Sequence, residues 1–171
     1  MAYNKNKRLF ILIGLLFVMG IIIYYFTASP IPAASRTNNF LQSNAPDVLK
    51  KGSLTLNGQI INVELASTDR EQYQGLSDRD SLCAECGMYF EFPYKDKLNF
   101  VMRDMRFPLD IIFINDDTIL NIAANLAPEG SKTKNIYSSV SDANRVLEVN
   151  AGYCQKHGIK AGDKISDLKL N

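Results

Sequence analysis

The chain has 171 residues, of which 46% are hydrophobic and 22% charged, and a formal net charge of +1 at pH 7. Three of its 19 basic residues, but none of its 18 acidic residues, lie in the first eight positions, so the remainder has a net charge of −2. So small a charge excludes binding to nucleic acid or to anionic lipid by electrostatic attraction alone.

The amino end combines basic residues with a long apolar segment. Lys5, Lys7 and Arg8 precede an apolar run from Leu9 to Phe26. As a helix these 18 residues would rise about 27 Å, close to the hydrocarbon thickness of a bilayer. The run therefore predicts a transmembrane helix over residues 9–27, with residues 1–8 in the cytoplasm because basic residues remain on that side. We therefore expect a single-pass membrane protein whose carboxyl-terminal domain is periplasmic or extracellular.

A cleaved secretory signal is the alternative interpretation of this segment. The apolar run is longer than the roughly 7–15 residues usual in a signal peptide. It ends in Tyr24, Tyr25 and Phe26, which suit a membrane interface. These features favour an uncleaved signal anchor. Residues 28–52, rich in Ser, Asn, Pro and Ala, are predicted to form a flexible tether, followed by one folded domain over residues 53–171.

Local patterns in the exported part predict strands and short helices. Apolar and polar residues alternate on both sides of the turn-forming pair Asn57-Gly58, which predicts a β-hairpin. Thr68 and Glu71 have the spacing of a capping box, which predicts a short helix ending near Gly75. Further strands are predicted over residues 88–92, 99–102, 109–114, 118–123 and 146–149, and a helical turn over 155–159. The predicted fold class is α+β, mostly β: one antiparallel sheet curled towards a partly open barrel, with one or two short helices at its ends.

Five segments of this domain, in order, resemble the family called domain of unknown function 192, DUF192. The segments are Glu64–Ala66, Glu71–Leu76 with Arg79, Gly87–Phe92, Pro108–Ile114 and Val146–Gly152. The resemblance covers roughly residues 54–168, essentially the whole exported domain. It implies a compact, mostly β domain that is frequently exported, and it implies no particular activity.

The chain departs from the family pattern in two places. The family usually has Trp-Met-Lys-Asn-Thr before its Pro-Leu-Asp, whereas this chain has Val101-Met102-Arg103-Asp104-Met105. The usual Gly-Leu-Met is Gly75-Leu76-Ser77 here. If those family residues form a ligand platform, the platform is altered in this member.

The cysteines and the single histidine form two short motifs. Cys83 and Cys86 make a C-x-x-C, while Cys154 and His157 make a C-x-x-H. Together they provide the Cys3His ligand set of a structural zinc site, because each spacing lets one turn direct two ligands at one ion. A disulfide, Cys83–Cys86 or Cys83–Cys154, with one cysteine unpaired, is a second interpretation in an exported domain, and ordinary thiols are a third. A thioredoxin-like role is less favoured because the C-x-x-C lies in a loop before a strand.

Carboxylates in or beside predicted strands raise the hypothesis of an exported hydrolase, in one version carbohydrate-directed. Asp110 and Glu148 lie in predicted strands, where facing carboxyl groups could act as general acid and base, and Asp104 lies beside them. The favoured interpretation is that these carboxylates pair with arginines to hold strands and loops in register. The candidate arginines are Arg79, Arg103 and Arg145.

Methionine and aromatic residues recur along the predicted strands. The group comprises Met88, Phe90, Phe92, Phe100, Met102 and Phe113. It could line a pocket for an apolar or sugar-like ligand, although the alternation favours a hydrophobic core. The predicted function is thus a non-enzymatic, membrane-anchored module that binds a small molecule or a protein partner, and not nucleic acid. Its candidate ligand-binding residues are Arg79, Met88, Phe90, Met102, Asp110 and Glu148.

Overall fold

The computed structural model describes residues 48–170 of the chain. The predicted transmembrane helix over 9–27, the cytoplasmic end over 1–8 and most of the predicted tether lie outside the described residues. Among the helices of residues 48–170, none has the length and apolar character needed to cross a membrane.

The described domain contains nine strands and two short helices. In chain order they are β1 (Lys51–Leu56), β2 (Gln59–Ala66), α1 (Asp69–Gln74), β3 (Cys86–Asp96), β4 (Asn99–Phe100), β5 (Leu109–Asn115), β6 (Thr118–Leu126), β7 (Tyr137–Ser138), β8 (Ala143–Asn150), α2 (Tyr153–His157) and β9 (Ile165–Leu170). Seven strands form one sheet in the order β6-β5-β8-β3-β2-β1-β9, and β4 pairs with β7. The mostly β fold class is confirmed.

The predicted hairpin and capping box are both present. Asn57 and Gly58 adopt positive φ angles of 48° and 77° between β1 and β2, the backbone conformation that a tight hairpin turn requires. The Thr68 hydroxyl accepts a hydrogen bond from the Glu71 amide, and the Glu71 carboxylate accepts one from the Thr68 amide. These reciprocal bonds fix the first turn of α1.

The sheet is mixed, which corrects the prediction of a purely antiparallel sheet. Strands β2 and β3 run parallel, with Asn62 opposite Cys86 and Ala66 opposite Phe90. A parallel pair needs a crossover between the end of one strand and the start of the next. Residues 67–85, which include α1, provide that crossover. Side-chain alternation within a strand contains no information about the direction of its neighbour, so the sequence pattern did not reveal this pairing.

Both faces of the sheet are covered, so β5 is buried along nearly its whole length. Ile112 and Ile114 point to the side that α2 covers, which we call the α2 side. Ile111 and Phe113 point to the opposite side, covered by the segment from Leu98 to Met105, which we call the loop side. Each side therefore has its own hydrophobic core.

The two edge strands of the sheet meet at one end. The Ile119 amide of β6 donates to the Asp163 carbonyl, and the Ile165 amide of β9 donates to the Asp117 carbonyl. Thr118 and Lys164 form an antiparallel bridge between these bonds. The sheet thus curls until its first and last strands touch.

Candidate functional site

The four predicted zinc ligands are not brought together. Cys83 and Cys86 form a disulfide, with 5.1 Å between their Cα atoms, so neither supplies a thiolate. Cys154 is free and buried, and the His157 ring packs against Tyr153 with 4.3 Å between ring centroids. In residues 48–170, no group of three or more His, Cys, Asp or Glu side chains is placed to hold a metal ion. The structure has instead the disulfide alternative, with one cysteine unpaired.

The free thiol of Cys154 lies at the start of α2, within the hydrophobic core of the α2 side. Burial raises the pKa of the Cys154 thiol, and the nearby Asp110 carboxylate adds to the increase. A thiol in this environment stays protonated and is a poor nucleophile or metal ligand.

Asp110 is an internal anchor for three segments of backbone. Its Oδ1 accepts hydrogen bonds from the amides of Asn125 and Gly152, at 2.8 and 3.1 Å. Its Oδ2 accepts one from the Cys154 amide, at 3.0 Å. The side chain is completely buried, so it ties β5 to β6 and to the start of α2 with no free oxygen directed at solvent.

The predicted carboxylate pair of Asp110 and Glu148 is not assembled in one cleft. In the antiparallel register Ile111 of β5 lies opposite Glu148 of β8, whereas Asp110 lies opposite Val149. Directly opposed residues share a side of the sheet, and successive residues alternate between sides. Asp110 therefore lies on the α2 side and Glu148 on the loop side, with the sheet between them.

The predicted arginines form ion pairs, but mostly with other carboxylates. Arg79 pairs with Glu64 at 2.6 Å, and Arg145 pairs with Glu91 at 3.3 Å. Arg103 lies 3.6 Å from its chain neighbour Asp104. The expectation that arginines would pair with Asp110 and Glu148 is thus corrected, because Asp110 is bound by backbone amides and no ion pair joins Glu148 to another residue of the described range 48–170.

Glu148 lies at a cavity of about 280 Å³ on the loop side, which we call the Glu148 cavity. Glu148 is 5% exposed, and no hydrogen bond joins its carboxyl group to another described residue. Burial raises the pKa of Glu148 to about 8, because the charged form is poorly solvated there. At neutral pH the carboxyl group is therefore mostly protonated and can donate a hydrogen bond.

Aromatic rings form one wall of the Glu148 cavity. Phe90, Phe92 and Phe100 all line it. The Phe100 ring makes edge-to-face contacts with Phe90 at 5.0 Å and with Phe92 at 6.3 Å between centroids. Behind the wall, Phe113 contacts Phe100 in the same way at 5.9 Å. Such contacts hold the rings in fixed orientations and leave an apolar surface for a ligand.

Polar groups at the rim of the cavity are bonded to one another. The Ser77 hydroxyl donates to the Arg103 carbonyl at 3.0 Å. The Arg103 guanidinium donates to the Tyr73 carbonyl at 2.8 Å and lies 4.1 Å from the centroid of the Tyr73 ring. These contacts connect the end of α1 to the segment after β4 and fix the shape of the opening.

The predicted ligand-binding residues separate into different environments. Phe90 and Glu148 line the Glu148 cavity. Met88 and Met102 are core residues of the loop side, 1% and 0% exposed. Arg79 lies at two other cavities and is paired with Glu64. With Asp110 on the α2 side, only two of the six predicted residues share this site.

Twelve of the fourteen lining residues were absent from the predicted ligand set, and four of these differ from the usual family residue, namely Ser77, Val101, Arg103 and Met105. All four occupy the two segments in which this chain departs from the family pattern. The departure from the family pattern could have indicated this site, because two segments that are separate in the chain line one cavity.

Comparison with protein-family models matches residues 52–166 to DUF192, described as Uncharacterized ACR, COG1430. Comparison with curated proteins gives no significant match. One similar solved structure is a "putative transcription regulator" from Sinorhizobium meliloti 1021, with 30% identity, a TM-score of 0.62, and coverage of 68% of this chain and 92% of that chain. Another is a protein of unknown function from Novosphingobium aromaticivorans DSM 12444, with 36% identity, a TM-score of 0.61, and coverage of 69% and 84%.

Proposed function

The chain belongs to the DUF192 family, which is described only as uncharacterised, and we propose that it is a non-enzymatic module that binds a small molecule in the Glu148 cavity. The observation that carries this proposal is the carboxyl group of Glu148, which is buried at the cavity without a protein partner. Because 5% of the residue remains exposed, the carboxyl group is accessible from the cavity. A hydrogen bond that it donates to a ligand there would contribute about 0.5–1.5 kcal/mol.

The cavity favours a small, neutral, ring-shaped ligand. Its volume of about 280 Å³ is just below the roughly 300–1,000 Å³ typical of small-molecule sites. Phe92 and Phe100 are partly exposed and offer an apolar surface for one face of a ring, while Glu148 offers a donor for a carbonyl or ether oxygen. A sugar-like ring or a cyclic amide has both features.

The membrane anchor and the exported location belong to the same proposal and rest on the sequence. Residues 9–27 anchor the chain, and the domain lies in the periplasm or outside the cell. The Cys83–Cys86 disulfide supports this placement because such bonds persist in oxidising compartments. A net charge of −2 beyond the first eight residues argues against a nucleic-acid partner.

Ligand binding is tested with the full-length chain and a panel of neutral ring compounds at about pH 6, where Glu148 is protonated. We expect at least one compound with an acceptor oxygen to bind, as measured by calorimetry. Glu148→Ala should lower the affinity about tenfold or more, the effect of losing one hydrogen bond to a buried group.

Two further variants distinguish loss of the hydrogen-bond donor at Glu148 from loss of a carboxylate charge. Glu148→Gln keeps a donor and should retain affinity within a few fold. Glu91→Gln, on the neighbouring strand β3 but outside the cavity, is the matched control and should bind as the wild type does. Equal affinity of Glu148→Ala and wild type would contradict the proposed site.

A further inference from the structure

The Cys83–Cys86 disulfide lies at a second cavity, which we call the disulfide cavity. This cavity has a volume of about 500 Å³ and is separate from the Glu148 cavity. Cys83 is exposed and Cys86 is partly buried. A thiol in solvent can therefore reach the sulfur of Cys83 more easily than that of Cys86.

The loop around the disulfide is held in place by bonds that do not involve sulfur. Asn150 donates from its side-chain amide to the Cys83 carbonyl at 2.9 Å. The Glu85 carbonyl accepts from the Asn62 amide at 2.9 Å, and the Glu85 carboxylate accepts from the Tyr153 hydroxyl at 2.8 Å. Reduction of the disulfide leaves all these bonds available, so the two thiols would remain side by side.

The disulfide also restricts little of the unfolded chain. Cys83 and Cys86 are only three positions apart in the sequence. The entropy that a cross-link removes from the unfolded state grows with the length of the closed loop, so a loop this short contributes less to stability than a longer one would. An exposed bond with a small structural contribution is suited to reversible chemistry.

Basic side chains lie at the disulfide cavity. Lys51 is exposed there, and Arg79 is about one-third exposed in its pair with Glu64. A positive group near a disulfide stabilises the thiolate that leaves during exchange. Glu64 also lines this cavity, so its charged side chains have a net charge of +1, which favours a reductant that has carboxylates.

We propose that Cys83–Cys86 is a thiol–disulfide exchange site, at which a small carboxylate-bearing thiol in the disulfide cavity reduces the bond while the domain stays folded. The thiolate of the first reductant molecule attacks the Cys83 sulfur, forms a mixed disulfide and displaces the Cys86 thiolate, which takes a proton from water. A second thiolate attacks the reductant sulfur of the mixed disulfide and releases Cys83 as a thiolate, which is also protonated. The protein disulfide gains two electrons, and two thiols are oxidised to one small disulfide.

The first test uses the full-length chain in buffers of reduced and oxidised glutathione. Alkylation and mass spectrometry measure the oxidised fraction, while near-ultraviolet circular dichroism measures the tertiary fold. We expect the oxidised fraction to follow the glutathione ratio reversibly, with the tyrosine bands of the spectrum retained. Reduction only under conditions that unfold the domain would overturn the proposal.

The second test examines the order of attack. In Cys86→Ser, oxidised glutathione should form a mixed disulfide at Cys83 several-fold faster than at Cys86 in Cys83→Ser, because Cys83 is exposed and Cys86 is partly buried. Equal rates would contradict attack at Cys83. Cys154, which is buried, serves as an internal control and should remain unmodified in both variants.

The third test asks whether the reductant binds in the disulfide cavity. The measurement is the rate of reduction by glutathione divided by the rate of reduction by neutral 2-mercaptoethanol. This ratio removes any effect of a variant on the leaving Cys86 thiolate, because that effect is common to both reductants. Arg79→Gln should lower this ratio several-fold, and the matched variant of its ion-pair partner, Glu64→Gln, should raise it. A ratio that neither variant changes would exclude the disulfide cavity as the binding site for the thiol.

Discussion

Two buried carboxyl groups of this domain differ in how the protein satisfies them. Asp110 accepts three backbone hydrogen bonds, whereas Glu148 has no described partner and lies at a cavity. Full satisfaction by backbone amides is typical of a residue that holds a fold together. A buried carboxyl group whose pKa is raised, at a cavity, is typical of a functional site.

Glu148 should make the stability of the domain depend on pH. Burial raises its pKa from 4.5 to about 8, so between these values the folded state binds more protons than the unfolded state. The free energy of unfolding therefore falls as the pH rises through this window, by at most about 1.4 kcal/mol per pH unit. The loss is complete once the pH exceeds the folded pKa.

Urea unfolding between about pH 5 and pH 9 measures this effect as the difference between wild type and Glu148→Gln, which has no charge to lose. We expect Glu148→Gln to become progressively more stable than the wild type as the pH rises. Glu91→Gln controls for charge removal elsewhere on the sheet. Parallel pH profiles of Glu148→Gln and wild type would show that the buried carboxyl group does not titrate in this range.

At the scale of elements, helix α1 connects the fold to the site. The capping box of Thr68 and Glu71 fixes its beginning, and residues from its last turn line the Glu148 cavity. The helix has only six residues and no buried one. So short a helix depends on its cap, because few internal hydrogen bonds support it.

Thr68→Ala should lower the free energy of unfolding by about 1 kcal/mol, the usual cost of losing an N-cap side chain. Thr68→Ser retains the hydroxyl and is the matched control, expected to stay near the wild-type value. Chemical denaturation measures both. If alanine and serine at this position give the same stability, the hydroxyl does not contribute to stability.

Local signals in the sequence predicted several elements, but not how distant segments combine. Asn57-Gly58 and the Thr68–Glu71 spacing depend on neighbouring residues, and both predictions are confirmed. The opposite sides of Asp110 and Glu148 depend on the register between β5 and β8, which no local pattern contains. The C-x-x-C spacing is likewise compatible with zinc or with a disulfide, and only the three-dimensional placement of Cys154 and His157 distinguishes them.

At the scale of the whole molecule, the proposed anchor at residues 9–27 would place both cavities outside the cytoplasm. A reporter phosphatase that is active only outside the cytoplasm, fused after residue 171, should be active in cells. Deletion of residues 1–27 should abolish that activity and leave the fusion in the soluble fraction. Full activity after the deletion would contradict a signal anchor at the amino end.

The strand order has a consequence for how the domain forms during synthesis. Strand β9, the last in the described chain, pairs along β1, the first, and touches the start of β6. Leu56 faces Ile165 in that pairing, so the contact joins the two ends of the domain. Contacts between residues this far apart in sequence form slowly, because a long loop must close first. The sheet is therefore completed only after the carboxyl end has been delivered, and an exported chain would travel unfolded and close its sheet at its destination.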